Sequence, residues 1–172
     1  MAFIDNMTRE ELIKLVRMYA KNWLAHDGCW FLAAEESFGM ETAIDLDTKS
    51  WSRFAVAEAK RILNEFNIPK DGGLKSLETA MQYRLYAAIN RQEIEWQDDR
   101  TMIFKMIECR VQKTRTEKNL LPFPCKSVGI VEFSKFAQTV DPRINTECIH
   151  CPPDPLGNEY CAWKFTMKQN ET

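Results

Sequence analysis

The sequence predicts an α+β fold, in which N-terminal helices pack on a small antiparallel sheet built from a β-hairpin and a later strand pair. Apolar residues recur at helical spacing through roughly the first 90 residues, and the pattern then changes to the alternation typical of strands. The 172 residues, 45% of them hydrophobic, can form one domain with a substantial core but are too few for two. We therefore expect a single domain over residues 1–172, with a helical part at 1–90 and the sheet at 91–172.

Four helices are predicted in the N-terminal half. Thr8 and Glu11 are spaced as in a capping box, which begins a first helix that extends to about His26. Asp27-Gly28 predicts a break in the chain, followed by a short second helix that ends at Gly39. Apolar residues at helical spacing predict the third and fourth helices, over about residues 41–66 and 74–90.

The remaining elements follow residue 90. Ile94 and Trp96 alternate with charged and polar neighbours, and a second alternating run begins after a turn, so a β-hairpin is predicted. The polar segment 112–119 is expected to be a connection. Apolar residues then return to helical spacing and predict a helix that stops near Asp141-Pro142. Two short strands complete the predicted sheet, over about residues 144–149 and 162–167.

Charge and hydropathy exclude several functional classes. Lys and Arg total 23 against 25 Asp and Glu, so the chain has no basic excess that would attract nucleic acid or an anionic membrane. No stretch approaches the roughly 20 apolar residues of a membrane helix and the N-terminus lacks a signal-peptide pattern, so a cytoplasmic protein is expected. Because no phosphate-binding loop or dinucleotide motif is present, nucleotide cofactors are not expected.

The cysteines carry the most specific signal in the chain. Cys148 and Cys151 form a Cys-x-x-Cys pair, whose spacing allows two thiolates to bind one tetrahedral metal ion. Cys161 follows across a proline-rich loop that can fold back, and Cys125 stands near the start of a predicted helix. Four thiolates predict a closed, structural zinc site, with an iron–sulfur cluster as an alternative. A redox dithiol and plain buried cysteines are further alternatives.

The same residues resemble a known family. Cys125-Lys126-Ser127-Val128-Gly129, Cys148-Ile149-His150-Cys151 and Cys161-Ala162-Trp163 are similar to the C-terminal part of 4-vinyl reductase domains, which include the phenol-sensing domains of some transcriptional activators. This resemblance covers about residues 90–167. It implies a small-molecule-binding domain with a zinc ion held by a helix-start cysteine, a pair spaced as in Cys-x-x-Cys and a last cysteine beyond a short loop.

A second resemblance covers the whole chain. Asn22-Trp23-Leu24-Ala25-His26-Asp27-Gly28, Cys109-Arg110-Val111-Gln112 and Phe123-Pro124-Cys125-Lys126 resemble an uncharacterised family of small prokaryotic cytosolic proteins. That family is related to the L-2-amino-thiazoline-4-carboxylic acid hydrolases. The resemblance implies fold and metal binding more than chemistry, because one fold hosts many functions.

A ligand pocket is predicted away from the metal site, among His26, Trp30, Cys109 and Arg110. His26 could orient or deprotonate a ligand, Arg110 could pair with a carboxylate and Trp30 could cover an apolar ring. Cys109 could be a thiolate activated by the neighbouring cation. The alternative is structural, because a histidine suits a helix C-terminus and a cysteine suits a buried strand end.

Three functions are compatible with these features. The first is a small-molecule-binding domain of the 4-vinyl-reductase type with a structural zinc site. The second is a hydrolase in which His26 and Cys109, or a bound water, attack a small heterocycle or amide. The third is a regulatory or oligomerisation subunit without chemistry, and the chain could form a homodimer.

Overall fold

The computed structural model describes residues 3–155 and 157–168. Within them, five α-helices and four β-strands follow the order α1 (Arg9–Phe38), α2 (Met40–Glu65), α3 (Gly73–Met81), β1 (Arg91–Asp98), β2 (Thr101–Glu108), α4 (Arg110–Glu117), α5 (Lys126–Val140), β3 (Ile144–His150) and β4 (Cys161–Met167). Short 3-10 turns cover Phe3–Asn6 and Leu85–Ala88. The predicted α+β class is confirmed.

The four described strands form one antiparallel sheet in the order β1-β2-β4-β3. The hairpin pairs Ile94 with Phe104, and β4 lies between the hairpin and β3. Because β2 and β4 occupy the centre, they carry the most buried side chains of the sheet, including Phe104 and Trp163. A register irregularity interrupts the β3–β4 ladder between Cys148 and His150, where the cysteine-rich loop begins.

Helix α5 packs against α2 and β3, and its side chains also contact the central strands β2 and β4. Phe133 stacks on Trp163 of β4, with ring centroids 4.8 Å apart, and contacts Phe104 of β2 at 5.4 Å. This close approach depends on Gly129, because a Cβ atom at that position would lie 2.6 Å from Cζ2 of Trp163. Gly129 therefore sets the distance between the helix and the sheet.

Helix α1 is one continuous helix of 30 residues, so the predicted break at Asp27-Gly28 is wrong. It begins at the predicted capping box: Thr8 Oγ1 accepts from the Glu11 amide at 3.2 Å, and the Glu11 carboxylate accepts from the Thr8 amide at 2.8 Å. A helical glycine costs only about 1 kcal/mol relative to alanine, and burial of neighbours such as Leu24 outweighs that cost. The helix ends at Gly39, as predicted.

Two further differences concern segments that lack a long apolar stripe. The predicted fourth helix ends at Met81, and a 3-10 turn follows it. Much of the polar segment expected to be a connection belongs to α4. This helix is anchored by Gln112, whose Nε2 donates to the Phe123 carbonyl at 2.7 Å and whose Oε1 accepts from the Phe123 amide at 3.1 Å. Hydrophobic periodicity does not detect a helix held by buried polar groups.

In residues 3–155 and 157–168, no helix has the length and apolar character needed to cross a bilayer. The cytoplasmic location expected from the sequence stays a prediction.

Candidate functional site

A cavity of about 290 Å³ lies between the helices and the sheet. Residues from α1, α2, α4, α5 and the two central strands line it. Its wall is mainly apolar, and six aromatic side chains form much of it: Phe31, Trp51, Tyr86, Phe123, Phe133 and Trp163. A concave, largely apolar space with a few polar groups is the usual form of a small-molecule site.

Thiols form one side of this cavity. Cys125 caps the N-terminus of α5 and Cys151 follows β3, and their Sγ atoms are 3.4 Å apart. Cys161, at the start of β4, raises the pKa of the Cys151 thiol and thus also lies near it. Cys125, Cys151 and Cys161 line the cavity, and the charges of Cys125 and Cys161 act on the thiol of Cys148 in β3. The fold thus brings Cys125 into contact with Cys151, which lies 26 residues further along the chain.

Backbone contacts explain why the thiols approach one another. The first amide of α5, that of Lys126, donates to the Pro152 carbonyl at 3.0 Å. Asp154 then ties the two segments together, because its carboxylate accepts from Lys126 Nζ at 2.7 Å and from the Cys151 amide at 3.2 Å. The loop after β3 is therefore fixed against the start of α5.

The thiols are engaged in hydrogen bonds. Gln112 Nε2 donates to Cys125 Sγ at 3.5 Å, and Trp163 Nε1 donates to Cys161 Sγ at 3.3 Å. The hydrogen bond between the two thiols lowers the pKa of Cys125 and raises that of Cys151. No group of three or more His, Cys, Asp or Glu side chains in the described part of the chain is arranged to hold a metal ion.

Two carboxylates that sequence reasoning missed also line the cavity. Asp27 comes from α1 and Asp47 from α2. Burial raises the pKa of both, and the charge of Asp27 contributes to raising the pKa of Asp47 to about 7. A sequence signal existed for Asp47, because it lies four residues from Ala43 and Trp51 in the buried stripe of α2, where a carboxylate is unexpected.

A buried ion triad stands behind the cavity wall. Arg84 Nε donates to Glu58 at 2.9 Å and its NH2 group donates to Glu132 at 2.6 Å, while the guanidinium lies 4.6 Å from the ring centre of Phe136. Glu132 lines the cavity, but its charge is compensated by Arg84. The triad joins α2, α5 and the segment that precedes β1.

The sequence profile of one protein family, described as "Family of unknown function (DUF6125)", matches residues 5–167. The chain belongs to this family. No curated protein matches this DUF6125 chain in sequence.

A solved structure shares the fold of this DUF6125 chain. It is the crystal structure of the phenol-responsive sensory domain of the transcription activator PoxR with phenol, and its TM-score is 0.57. The match covers 83% of this chain and 73% of that chain, at 13% sequence identity. The likeness shows a common fold and supports the predicted similarity to phenol-sensing domains at that level.

The structure divides the four predicted ligand-binding residues of the DUF6125 chain between two spaces. Cys109 and Arg110 line the cavity, whereas His26 and Trp30 line a neighbouring groove between α1 and α2. Because α1 continues through Gly28, His26 and Trp30 stay on one face of a regular helix. The pocket was also expected to lie away from the cysteines, and that expectation is wrong because three of the thiols line the same cavity.

Cys109 is not the activated thiolate that its position beside Arg110 suggested. Burial raises its pKa to about 12, so the group is a neutral thiol at neutral pH. The Arg110 amide donates to Asn90 Oδ1 at 3.0 Å, which fixes the start of α4 against the segment before β1. Cys109 and Arg110 thus contribute to the wall of the cavity.

Proposed function

We propose that this protein is a small-molecule-binding domain whose ligand occupies the cavity. The observation that carries this proposal is an aromatic-walled space of about 290 Å³ in a fold shared with a sensory domain that was crystallised with phenol. Its size lies at the lower end of the ~300–1,000 Å³ typical of ligand pockets. We infer further that the domain is of the 4-vinyl-reductase type, in agreement with the cysteine pattern.

The volume limits the size of the ligand. At about 30 Å³ per water molecule, the space corresponds to roughly ten waters and therefore to a ligand of about ten non-hydrogen atoms. Aromatic side chains provide flat contact surfaces for a ring or a short apolar chain. We therefore expect a small compound with one ring rather than a nucleotide or a peptide.

We also propose that Cys125, Cys148, Cys151 and Cys161 hold a structural zinc ion beside the cavity. Thiolates are preferred zinc ligands, and an edge of a tetrahedral site with ~2.3 Å Zn–S bonds is about 3.8 Å long. The 3.4 Å between the sulfur atoms of Cys125 and Cys151 is close to that length. A zinc ion with four thiolates has no open position, so its contribution would be to join α5 to the ends of β3 and β4.

The other functions stay predictions. The hydrolase alternative depends on the resemblance to thiazoline hydrolases, and the residues named for it, His26 and Cys109, line different spaces. An iron–sulfur cluster in place of zinc, a regulatory subunit without chemistry and a homodimer are likewise proposals that experiment must decide.

The binding proposal is tested by titration calorimetry with a panel of one-ring compounds of up to about ten non-hydrogen atoms, which includes phenol, aniline and benzyl alcohol. We expect at least one compound to bind the unmodified protein. Val111→Phe, which fills the cavity from α4, should abolish that binding, whereas Val16→Phe at an exposed position of α1 should not. Ala25→Phe, from the α1 side of the cavity, provides a second filling variant should the first not fold. Equal binding by the filled variants, or none by the unmodified protein, would refute the proposal.

A further inference from the structure

Helices α1 and α2 each present an aspartate and an aromatic side chain to the cavity. Asp27 of α1 is followed four residues later by Phe31, and Asp47 of α2 is followed four residues later by Trp51. All four side chains line the cavity. Because residues four apart lie on one face of a helix, each helix contributes a carboxylate with an aromatic ring beside it.

Neither carboxylate has a cationic partner. In residues 3–155 and 157–168, no Lys, Arg or His lies within ion-pair distance of Asp27 or Asp47. The charge of His26 lowers the pKa of Asp27, whereas the charges of Asp27 and Glu132 raise the pKa of Asp47 and the Trp51 side chain lowers it. Both carboxylates are half-buried, and partial burial of a carboxylate without an ion pair has a free-energy cost that a positive charge or a proton would relieve.

The cations near the cavity do not form ion pairs with Asp27 or Asp47. Arg84 is bonded to Glu58 and Glu132, and Arg115 donates two hydrogen bonds to Glu35, at 2.9 and 3.2 Å, and one to the Leu121 carbonyl at 2.6 Å. The other two basic residues that line the cavity, Arg110 and Lys118, are exposed on or beside α4. The inner wall formed by α1 and α2 therefore carries the uncompensated negative charge.

A further polar group on the wall also lacks a partner. Asn90 lines the cavity, and its Nδ2 atom is buried with no hydrogen-bond acceptor in the described structure, while its Oδ1 accepts from the Arg110 amide. Buried amide donors are normally paired, and an unpaired one next to a cavity indicates an acceptor on the molecule that fills it. This observation is independent of the carboxylates and indicates that the ligand carries an acceptor atom in addition to any positively charged group.

Resting on the proposed binding function, we propose that the ligand is an organic amine, whose ammonium group lies between Asp27 and Asp47 and whose apolar body contacts Phe31 and Trp51. Carboxylates attract the charge, and the faces of aromatic rings, above all that of tryptophan, attract a cation in addition. The same wall disfavours an anion of equal shape, because the anion would face two carboxylates.

The test compares three probes that share a phenyl ring and a two-carbon chain: 2-phenylethylamine, 2-phenylethanol and phenylacetate. Calorimetry at pH 8, where Asp47 is mostly ionised, should give at least tenfold tighter binding for the amine than for the alcohol, and none for phenylacetate. Asp47→Asn and Asp27→Asn should each weaken amine binding at least tenfold, a larger change than either variant causes in alcohol binding. Asp45→Asn, at an exposed position of α2, is the matched control and should change neither.

The outcomes separate this inference from the binding proposal. An alcohol that binds as tightly as the amine, or amine affinity unchanged in both Asn variants, would overturn the amine inference and leave the cavity as a binding site for neutral compounds. Binding of neutral panel compounds without any binding of 2-phenylethylamine would likewise overturn the amine inference and leave the binding proposal in place. Failure of the whole panel, the amine included, would overturn both.

Discussion

Arg84 donates a 2.6 Å hydrogen bond to Glu132, 48 residues further along the chain, and both side chains are almost completely buried. Arg84 also binds Glu58, so two carboxylates share one guanidinium in the interior. The rings of Phe133 and Phe136 flank it, at 5.5 and 4.6 Å. Since Glu132 is part of the cavity wall, Arg84 offsets the charge of one carboxylate that lines the cavity.

Arg84→Met should destabilise the protein strongly, because it leaves Glu58 and Glu132 buried without a cation. Loss of one partner of a buried pair typically costs about 3–5 kcal/mol. Urea denaturation followed by circular dichroism measures the change. Lys49→Met, which breaks the exposed pair with Asp45, is the control and should cost less than about 1 kcal/mol. Equal effects of the two substitutions would contradict the role assigned to the triad.

Gly129→Ala and Gly28→Ala should have opposite effects, although each adds one methyl group to a helix. At Gly129 the new Cβ would lie 2.6 Å from the Trp163 ring, and overpacking of a core typically costs about 1–3 kcal/mol. At Gly28 no heavy atom lies within 4 Å, so alanine should stabilise α1 by up to about 1 kcal/mol. Thermal unfolding measures the stability of both variants. A stabilised Gly129→Ala protein would show that α5 is not held against the Trp163 ring.

Asp47→Asn should change how stability depends on pH. The folded-state pKa of Asp47, about 7, lies above its ordinary value of 3.8, so between these values the folded protein holds a proton that the unfolded chain releases. The contribution of Asp47 to stability is therefore complete at low pH and decreases as pH rises through 7. Relative to the unmodified protein, Asp47→Asn should gain stability from pH 5 to pH 8, by less than about 1.4 kcal/mol per pH unit.

The control for that experiment is Asp45→Asn, whose carboxylate is exposed and paired with Lys49 on the same helix. Its stability difference from the unmodified protein should be nearly the same at both pH values. An Asp47→Asn difference that does not vary with pH, or that varies with the opposite sign, would contradict the buried position of this carboxylate.

The purified protein should contain one zinc ion per chain, as determined by elemental analysis. Cys151→Ser should remove most of the zinc and lower the melting temperature, because metal binding free energy contributes to folding. Cys29→Ser is the matched control, since Cys29 is exposed on α1 and should leave both quantities unchanged. Iron together with sulfide would favour the cluster alternative, and the absence of bound metal would refute the zinc proposal.

The sequence predicted those parts of the fold that depend on local chemistry. The capping box of Thr8 and Glu11, the hairpin around Ile94 and the helix that ends at Asp141 all follow from patterns within a few residues. The continuation of α1 through Gly28 and the formation of α4 around Gln112 depend instead on contacts with distant segments. Local patterns do not contain that information.

The same distinction applies to the site. The sequence indicated that Cys125 could approach Cys151, because Cys151 belongs to a Cys-x-x-Cys pair and Cys125 stands near the start of a predicted helix, and their sulfur atoms are 3.4 Å apart. Asp27 and Asp47 face one cavity only because α1 and α2 lie side by side, and neither segment alone suggests a ligand. Trp30 and His26, chosen for their chemistry, line a different space because helical geometry determines their direction.

The indole of Trp163 gives the protein an internal optical probe. It is completely buried, lines the cavity, stacks on Phe133 and donates its N–H to the sulfur of Cys161. Its emission therefore depends both on what occupies the cavity and on the state of the neighbouring sulfur. In a variant whose Trp23, Trp30 and Trp96 are replaced by phenylalanine, the two remaining tryptophans, Trp51 and Trp163, both line the cavity. The fluorescence spectrum of this variant would follow ligand entry and metal exchange through changes in emission wavelength and intensity.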